Sequence, residues 1–410
     1  MNPKGAASQN FQLPKRVRLN NLFDRLFKQK ELLTLDGILD SVRKRSELTD
    51  WGDPGFLEAL QAQVHSYNTE TDATPFSHGA FKRSCVSKIM LRCQLVDWWK
   101  RHPEILEQPV QRPIFVTGMP RTGTTFLHRL LSQDPNNRPL LYWEQQWPTP
   151  PPQPETYQTD ERIKWAKRSR DGLFTLAPEL EAIHPMEAQG PEECNGLFDP
   201  EFANMATAGL NHMPSFVEWI LKRDMTQTYK FYRGELQLLN WKMPPKRWCL
   251  KSPSHLYFLD ALLAVFPDAS IIWNHRPPEK TLASGSSLVY IYRKISTGRA
   301  FQGIGREMAD GLLRSVERAM ETRKTANPQR FFDMSYRKLV EDPIGMVHSI
   351  YEHFGYNYSP EFEAAMHRWI KANRQHKHGV HRYHLKDFGL SREWIDNRFS
   401  NYLSTYASWL

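Results

Sequence analysis

The chain has 410 residues, with 54 Lys plus Arg against 45 Asp plus Glu, a formal net charge of +9. Its 13 Trp, 22 Phe and 15 Tyr against 21 Gly exclude a disordered or collagen-like chain, and its length allows a core that needs no disulfide or metal staple. The basic excess suits a nucleic acid, a membrane surface or a small polyanion, and charge alone does not choose among them.

Residues 1–32 read as a polar, basic extension, expected to be flexible, with no apolar stretch of the signal-peptide kind. Apolar residues then recur at helical spacing, as in Phe56, Leu57, Leu60 and Val64, and again in Ile89, Leu91, Val96 and Trp99. A break around Pro75 divides them, so residues 33–110 are expected to form a helical region packed on the core. Residues 113–116 (PIFV) form a short continuous apolar run, which predicts a buried parallel strand, with a helix over 124–131. The run 148–154 (PTPPPQP) predicts an extended connector, because proline fixes φ and removes a donor. A mainly helical insertion over about 156–241 follows.

Strand-then-helix alternation returns three times: 247–251 (RWCLK) before a helix over 255–266, 270–273 (SIIW) before a helix from about 279, and 331–334 before a helix over 337–354. Such alternation implies crossovers and a parallel sheet. The fold class is therefore α/β, a three-layer core over 111–410 with N-terminal and mid-chain helical embellishments. No apolar run reaches the roughly 18 residues of a spanning helix, so no stable membrane insertion is expected. Cys85, Cys93, Cys194 and Cys249 contain no CxxC pair, which favours reduced thiols and a cytoplasmic location.

The most informative segment is Gly118-Met119-Pro120-Arg121-Thr122-Gly123-Thr124-Thr125, between a predicted strand and a predicted helix. Glycines let the backbone wrap an anion, and helix N-terminal amides favour negative charge. The spacing is that of a P-loop, but Thr124 stands where a nucleotide-triphosphate site carries lysine, and Arg121 supplies a cation from inside the loop. That departure argues against a P-loop kinase, the first alternative. A non-catalytic nucleotide- or nucleic-acid-binding protein, the second, would spread its cations as a stripe interleaved with aromatics.

This segment resembles the 5′-phosphosulfate loop of the sulfotransferase superfamily, in the Arg-containing form of its bacterial-type branch. The resemblance implies a P-loop-like fold and 3′-phosphoadenosine 5′-phosphosulfate (PAPS) as co-substrate, held by Gly118, Pro120, Arg121, Thr122, Gly123, Thr124 and Thr125. It further implies that Arg276 and Ser284, eight residues apart after the strand SIIW, bind the 3′-phosphate. Lys251, in KSPSH, would stabilise the sulfuryl oxygens, with Arg121 as the second catalytic cation. Two residues compete as general base: His255, at the end of the same motif, and Glu144, in LYWE. Gly190-Pro191-Glu192-Glu193 looks like the family's loop before the substrate helices, residues 333–343 like its YxxLVxDP helix, and His381, Tyr383 and Phe388-Gly389-Leu390 like its C-terminal segment.

The resemblance implies a small-molecule acceptor with a hydroxyl or amine and no nucleic acid, leaving oligomeric state open. The aromatic residues Phe198, Phe202, Phe216, Trp219, Tyr229, Phe231 and Tyr232 are read either as an apolar acceptor pocket or as core. His376 and His378, in a polar tail lacking Cys or carboxylate partners, give no reason to expect a metal.

Overall fold

The structure, a computed structural model, describes residues 12–27, 32–244, 246–299, 301–373 and 383–410. A five-stranded, wholly parallel sheet lies at its centre: β1 (Ile114–Gly118), β2 (Asn137–Pro139), β3 (Arg247–Lys251), β4 (Ser270–His275) and β5 (Phe331–Ser335), in the spatial order β2-β3-β1-β4-β5. Every residue of β1 and β4 is buried, as expected of strands covered on both faces.

Alternation along the strands sorts their side chains into two cores. Phe115, Leu250 and Ile271 face one apolar cluster, which also holds Ile38, Leu60 and Ile89 of the N-terminal helices and Leu239 of the helix Thr226–Asn240. Ile114, Val116, Cys249 and Ile272 face the other, built from Leu127, Leu131, Ile350 and Met366. Helices thus cover both faces of the sheet, which makes three layers.

Several elements differ from expectation. β2 is a three-residue strand without an apolar run, held by pairing with β3. The helix expected over 337–354 divides into Tyr336–Glu341 and Pro343–Phe354, since Pro343 has no N–H to continue the first. Asp342 caps the second by accepting from the Gly345 amide at 2.9 Å. The helix expected over 255–266 begins as a 3₁₀ turn, Pro253–Tyr257, before Leu259–Val265. Within the extension, Lys15–Phe27 is a helix, with Leu13 and Val17 packed beside Leu180 and Ile183. His376, His378 and His381 lie outside the described residues. Among the described residues, no helix is long and apolar enough to cross a membrane, and no His/Cys/Asp/Glu group could hold a metal ion.

Candidate active site

The order β2-β3-β1-β4-β5 places the carboxyl ends of β3, β1 and β4 side by side, where open parallel sheets bind ligands. β1 ends in Gly118 at φ 147°, and the chain turns through Pro120 and Arg121 to Gly123, at φ 84°, the N-cap of the helix Thr124–Leu131. Both glycines are required by space as well as by backbone angle. A Cβ at Gly118 would lie 2.6 Å from the Asn274 carbonyl oxygen, and one at Gly123 would lie 2.8 Å from the Tyr336 ring. Thr122 Oγ1 closes the loop by donating to the Met119 carbonyl at 2.7 Å. The first amides of the following helix have no intrahelical acceptor and are available to an anion.

Three residues predicted from two separate motifs meet here. Arg121 Nε donates to Ser284 Oγ at 3.0 Å, and Arg276 Nη1 donates to the Arg121 carbonyl at 2.7 Å. The Arg276 guanidinium lies 4.0 Å from the centre of the Tyr336 ring, which fixes the plane of its fork. A cavity of about 520 Å³ opens beside them, lined by Arg121, Gly123, Thr124, Thr125, Arg276 and Tyr336 among others. A glycine cradle, open helix amides, two guanidinium groups and a hydroxyl form a donor set suited to a ligand with two separated anionic groups.

Lys251 ends β3 and is buried, with Nζ 2.6 Å from Glu193 Oε1. Ser252 Oγ donates to Asn195 Oδ1 at 2.5 Å. The loop carrying Glu192 and Glu193 is thereby tied to the end of β3.

The fold takes up both bases expected from the sequence. His255 is fully buried, with Nδ1 2.8 Å from the Tyr229 hydroxyl and Nε2 3.2 Å from Cys194 Sγ. Phe115, Phe198 and Tyr232 enclose its ring, and burial pushes its pKa down to about 3. An imidazole so enclosed cannot meet an acceptor hydroxyl unless the core opens. Glu144 is also fully buried. It pairs with Arg138 at 2.7 Å, accepts from the Tyr157 hydroxyl at 3.1 Å, and accepts from the Leu141 amide at 3.2 Å. Of the seven aromatic residues read as acceptor pocket or core, Phe198, Phe202, Phe216, Tyr229 and Tyr232 are buried in the main core, while Trp219 and Phe231 are partly buried against apolar clusters.

A different acid–base pair lies beside the anion loop. The segment from Ile183 to Glu187 is held against it: Arg121 Nη1 donates to the Ile183 carbonyl at 2.9 Å, and Arg129 Nη2 donates to the Pro185 carbonyl at 3.3 Å. His184, within this segment, keeps 26% side-chain exposure and places Nε2 3.3 Å from Glu192 Oε1. Burial disfavours the charged ring, but the Glu192 carboxylate outweighs it and raises the His184 pKa above its ordinary value. Burial likewise works against the Glu192 anion, yet His184 and Lys251 hold its pKa down to about 2. The Glu193 amide also donates to Glu192 Oε1, at 2.8 Å.

A sequence model of the sulfotransferase family matches residues 113–360, and the chain belongs to that family. The crystal structure of sulfotransferase STF1 from Mycobacterium tuberculosis H37Rv superposes with a TM-score of 0.81 at 33% identity, covering 91% of this chain and all of that one. STF9 from Mycobacterium avium gives 0.84 at 30% identity, over 92% and 98%. Curated relatives from Mycobacterium bovis and M. tuberculosis, omega-hydroxy-beta-dihydromenaquinone-9 sulfotransferases Stf3, are 27% identical over 258 residues. That match takes in 59% of this chain and spans 62% of the relatives' length.

Sequence reasoning flagged the Glu192-Glu193 loop without a partner for either residue, and it missed His184. Glu192 stands eight positions after His184, across an irregular turn, and no periodic pattern links the two. Tyr336 was visible only as part of a family-like motif, not as the platform for Arg276.

Proposed function

We propose that the protein is a PAPS-dependent sulfotransferase that sulfates a hydroxyl or amine of a small-molecule acceptor. The carrying observation is the convergence of Arg121, Arg276 and Ser284 on the glycine loop at the ends of β1 and β4. The donor's chemical contribution is an activated sulfuryl group on a phosphate leaving group. The loop amides, Thr124, Thr125 and Arg121 bind its phosphosulfate end, while Arg276 and Ser284 bind its 3′-phosphate.

Arg121 is the shared wall between two regions, since it lines the cavity and also holds Ile183, the residue before His184. On this reading Glu192 orients His184, which accepts the acceptor's O–H or N–H proton. The acceptor oxygen or nitrogen forms its bond to sulfur as the bond from sulfur to the bridging oxygen breaks, and that electron pair leaves with adenosine 3′,5′-bisphosphate. Arg121 neutralises the charge developing on the leaving oxygen, and Lys251 that on the sulfuryl oxygens. Likeness to the curated relatives makes a hydroxyl-bearing apolar molecule the first acceptor class to test.

Thermal-shift measurements test the donor assignment. Adenosine 3′,5′-bisphosphate is expected to raise the melting temperature, and ATP with Mg²⁺ to do so less. Stabilisation by ATP–Mg²⁺ alone would favour the kinase reading and overturn this one.

A further inference from the structure

A cavity of about 610 Å³ lies at the amino ends of β1 and β3, at the far end of the sheet from the anion loop. Arg112, two residues before β1, and Arg247, the first residue of β3, line it together with Lys246, Asn240, Pro109 and Met243. The five residues of β1 separate it from Gly118, by roughly 15 Å. The reaction assigned above makes no use of it.

Its two arginines are held in fixed places. Arg112 has φ 46°, a left-handed backbone that an arginine rarely adopts. Asp268 accepts from the Arg112 amide at 2.6 Å, and the Tyr356 hydroxyl donates to the Arg112 carbonyl at 3.4 Å. The Arg112 and Arg247 guanidinium groups then lie against one ring, 4.7 and 3.6 Å from the centre of Tyr356. Arg112 Nη2 donates to the Phe354 carbonyl at 2.5 Å. Arg247 Nε donates to Asn137 Oδ1 at 2.9 Å, and its Nη2 meets Asp134 at 3.4 Å. Among the described residues, Nε and Nη1 of Arg112 and Nη1 of Arg247 have no acceptor. Asp134 and Asp268, the acids that touch these arginines, are taken up by the Tyr351 hydroxyl at 2.6 Å and by the Arg112 amide. Lys246 is exposed, with no ion pair among the described residues. Asn240, 7% exposed, accepts from Arg138 Nη1 on its Oδ1 at 2.7 Å, which leaves its NH₂ for a ligand.

We propose that this cavity binds a small organic phosphate monoester. Three cations and a buried amide line it, and no carboxylate does among the described residues, so one group carrying more than one negative charge fits it best. The open N–H groups of two planar forks match phosphate oxygens. The volume exceeds what a bare phosphate fills, and Pro109 and Met243 offer apolar wall to an organic body. A nucleic acid would call for cations along a stripe, and these converge on one concavity. The proposal stands on this cavity alone and is independent of the reaction assigned above.

Isothermal titration calorimetry of the full chain with phenyl phosphate tests it. Binding is expected, with inorganic phosphate at least about threefold weaker and phenol not bound. Lys246→Glu, at an exposed position, should weaken phenyl phosphate at least about tenfold at an unchanged melting temperature. Arg112→Gly should weaken it as much, since glycine adopts the left-handed backbone without strain. Arg276→Ala, at the other end of the sheet, should retain the event that Lys246→Glu weakens. No binding of phenyl phosphate, or unchanged binding in both Lys246→Glu and Arg112→Gly, would overturn the proposal. So would loss of all binding in Arg276→Ala, which would place the anion at the donor loop. Inorganic phosphate binding as tightly as phenyl phosphate would remove the organic body. A single-stranded oligonucleotide that binds through Lys246 while phenyl phosphate does not would assign the cations to nucleic acid instead.

Discussion

Replacing Arg276 with alanine isolates the donor site from the rest of the fold. In the free protein this guanidinium makes one backbone hydrogen bond, to the Arg121 carbonyl, and one ring stack, on Tyr336. Losing both at a partly exposed position should cost about 1 kcal/mol of stability, a small shift in melting temperature. With Nη1 kept on the Arg121 carbonyl, Nε and Nη2 remain to meet a phosphate. Two hydrogen bonds to a charged group are worth roughly 1.5–3 kcal/mol each, less what water returns to a phosphate left at an open rim. A net loss of about 2–4 kcal/mol corresponds to a roughly 30- to 700-fold weaker Kd. Isothermal titration calorimetry with adenosine 3′,5′-bisphosphate at fixed salt reads this directly. Arg276→Lys should fall between, because the charge survives and the planar fork does not. An alanine variant that keeps its melting temperature and binds within about threefold of the unaltered protein would refute the placement of the 3′-phosphate.

The base assignment separates in a similar way. His184→Gln should lower turnover with PAPS by about 10²- to 10⁴-fold at unchanged bisphosphate affinity, and abolish the ionisation of the base in the pH–rate profile. His255→Ala should instead lower the melting temperature, since it opens a cavity among packed rings; the opposite pattern would restore His255 as base. Acid sensitivity follows from His128 and His255, whose pKa values burial pushes down to about 3. The unfolded chain binds a proton at each near pH 6.5 that the folded chain refuses, so stability should fall as pH drops from about 6.5 towards 3, by up to about 1.4 kcal/mol per pH unit for each ring. His184 acts in the other direction. Its raised pKa adds stability that is complete below about 6.5 and lost as pH rises through the folded value. Urea denaturation between pH 7 and 5 checks the first effect: a flat profile, or a slope unchanged in His255→Phe, would contradict it.

β1, β3 and β4 were legible because each holds a short apolar run ended by glycine or charge, and burial leaves such runs little other use, whereas β5, with Asp333 inside it and two half-buried residues, was legible from its place before a helix. β2 was not legible, because Asn137-Arg138-Pro139 has no apolar signal and is a strand only through β3. The anion loop could be read for a similar reason: a left-handed turn and a close backbone approach demand glycine at fixed positions, and Gly118 and Gly123 show that demand locally. Arg276 and Ser284 were named through the family resemblance, which places an Arg at the strand end and a Ser eight residues later, and the fold brings both to Arg121. The bases were another matter. A histidine's usefulness depends on what surrounds it, and nothing near His255 in the sequence shows Tyr229, Cys194 and Phe198 closing over it. His184 gains its character from Glu192 and from the Arg121 contact at Ile183, all set by tertiary packing.

Each cation assigned to the donor is already engaged by an internal acceptor. Arg121 holds Ser284 Oγ and the Ile183 carbonyl, Arg276 holds the Arg121 carbonyl, and Lys251 holds Glu193. On the proposed assignment the donor would therefore meet cations that already hold internal acceptors rather than bare positive charge, which spares the protein three unpaired cations at one site. The consequence differs from place to place. Carbonyl contacts leave the other guanidinium nitrogens available, so Arg121 and Arg276 can bind phosphate with their scaffolding intact. Lys251 uses one of its three ammonium N–H groups on Glu193 at 2.6 Å, so a sulfuryl oxygen would share the ammonium's charge with that carboxylate. Because Glu193 follows Glu192 in the chain and its amide donates to the Glu192 carboxylate, a shift of Glu193 away from Lys251 would also disturb the partner of His184. On the proposed assignment, the partners of Lys251 and of His184 thus sit on one short loop, Glu193 and Glu192.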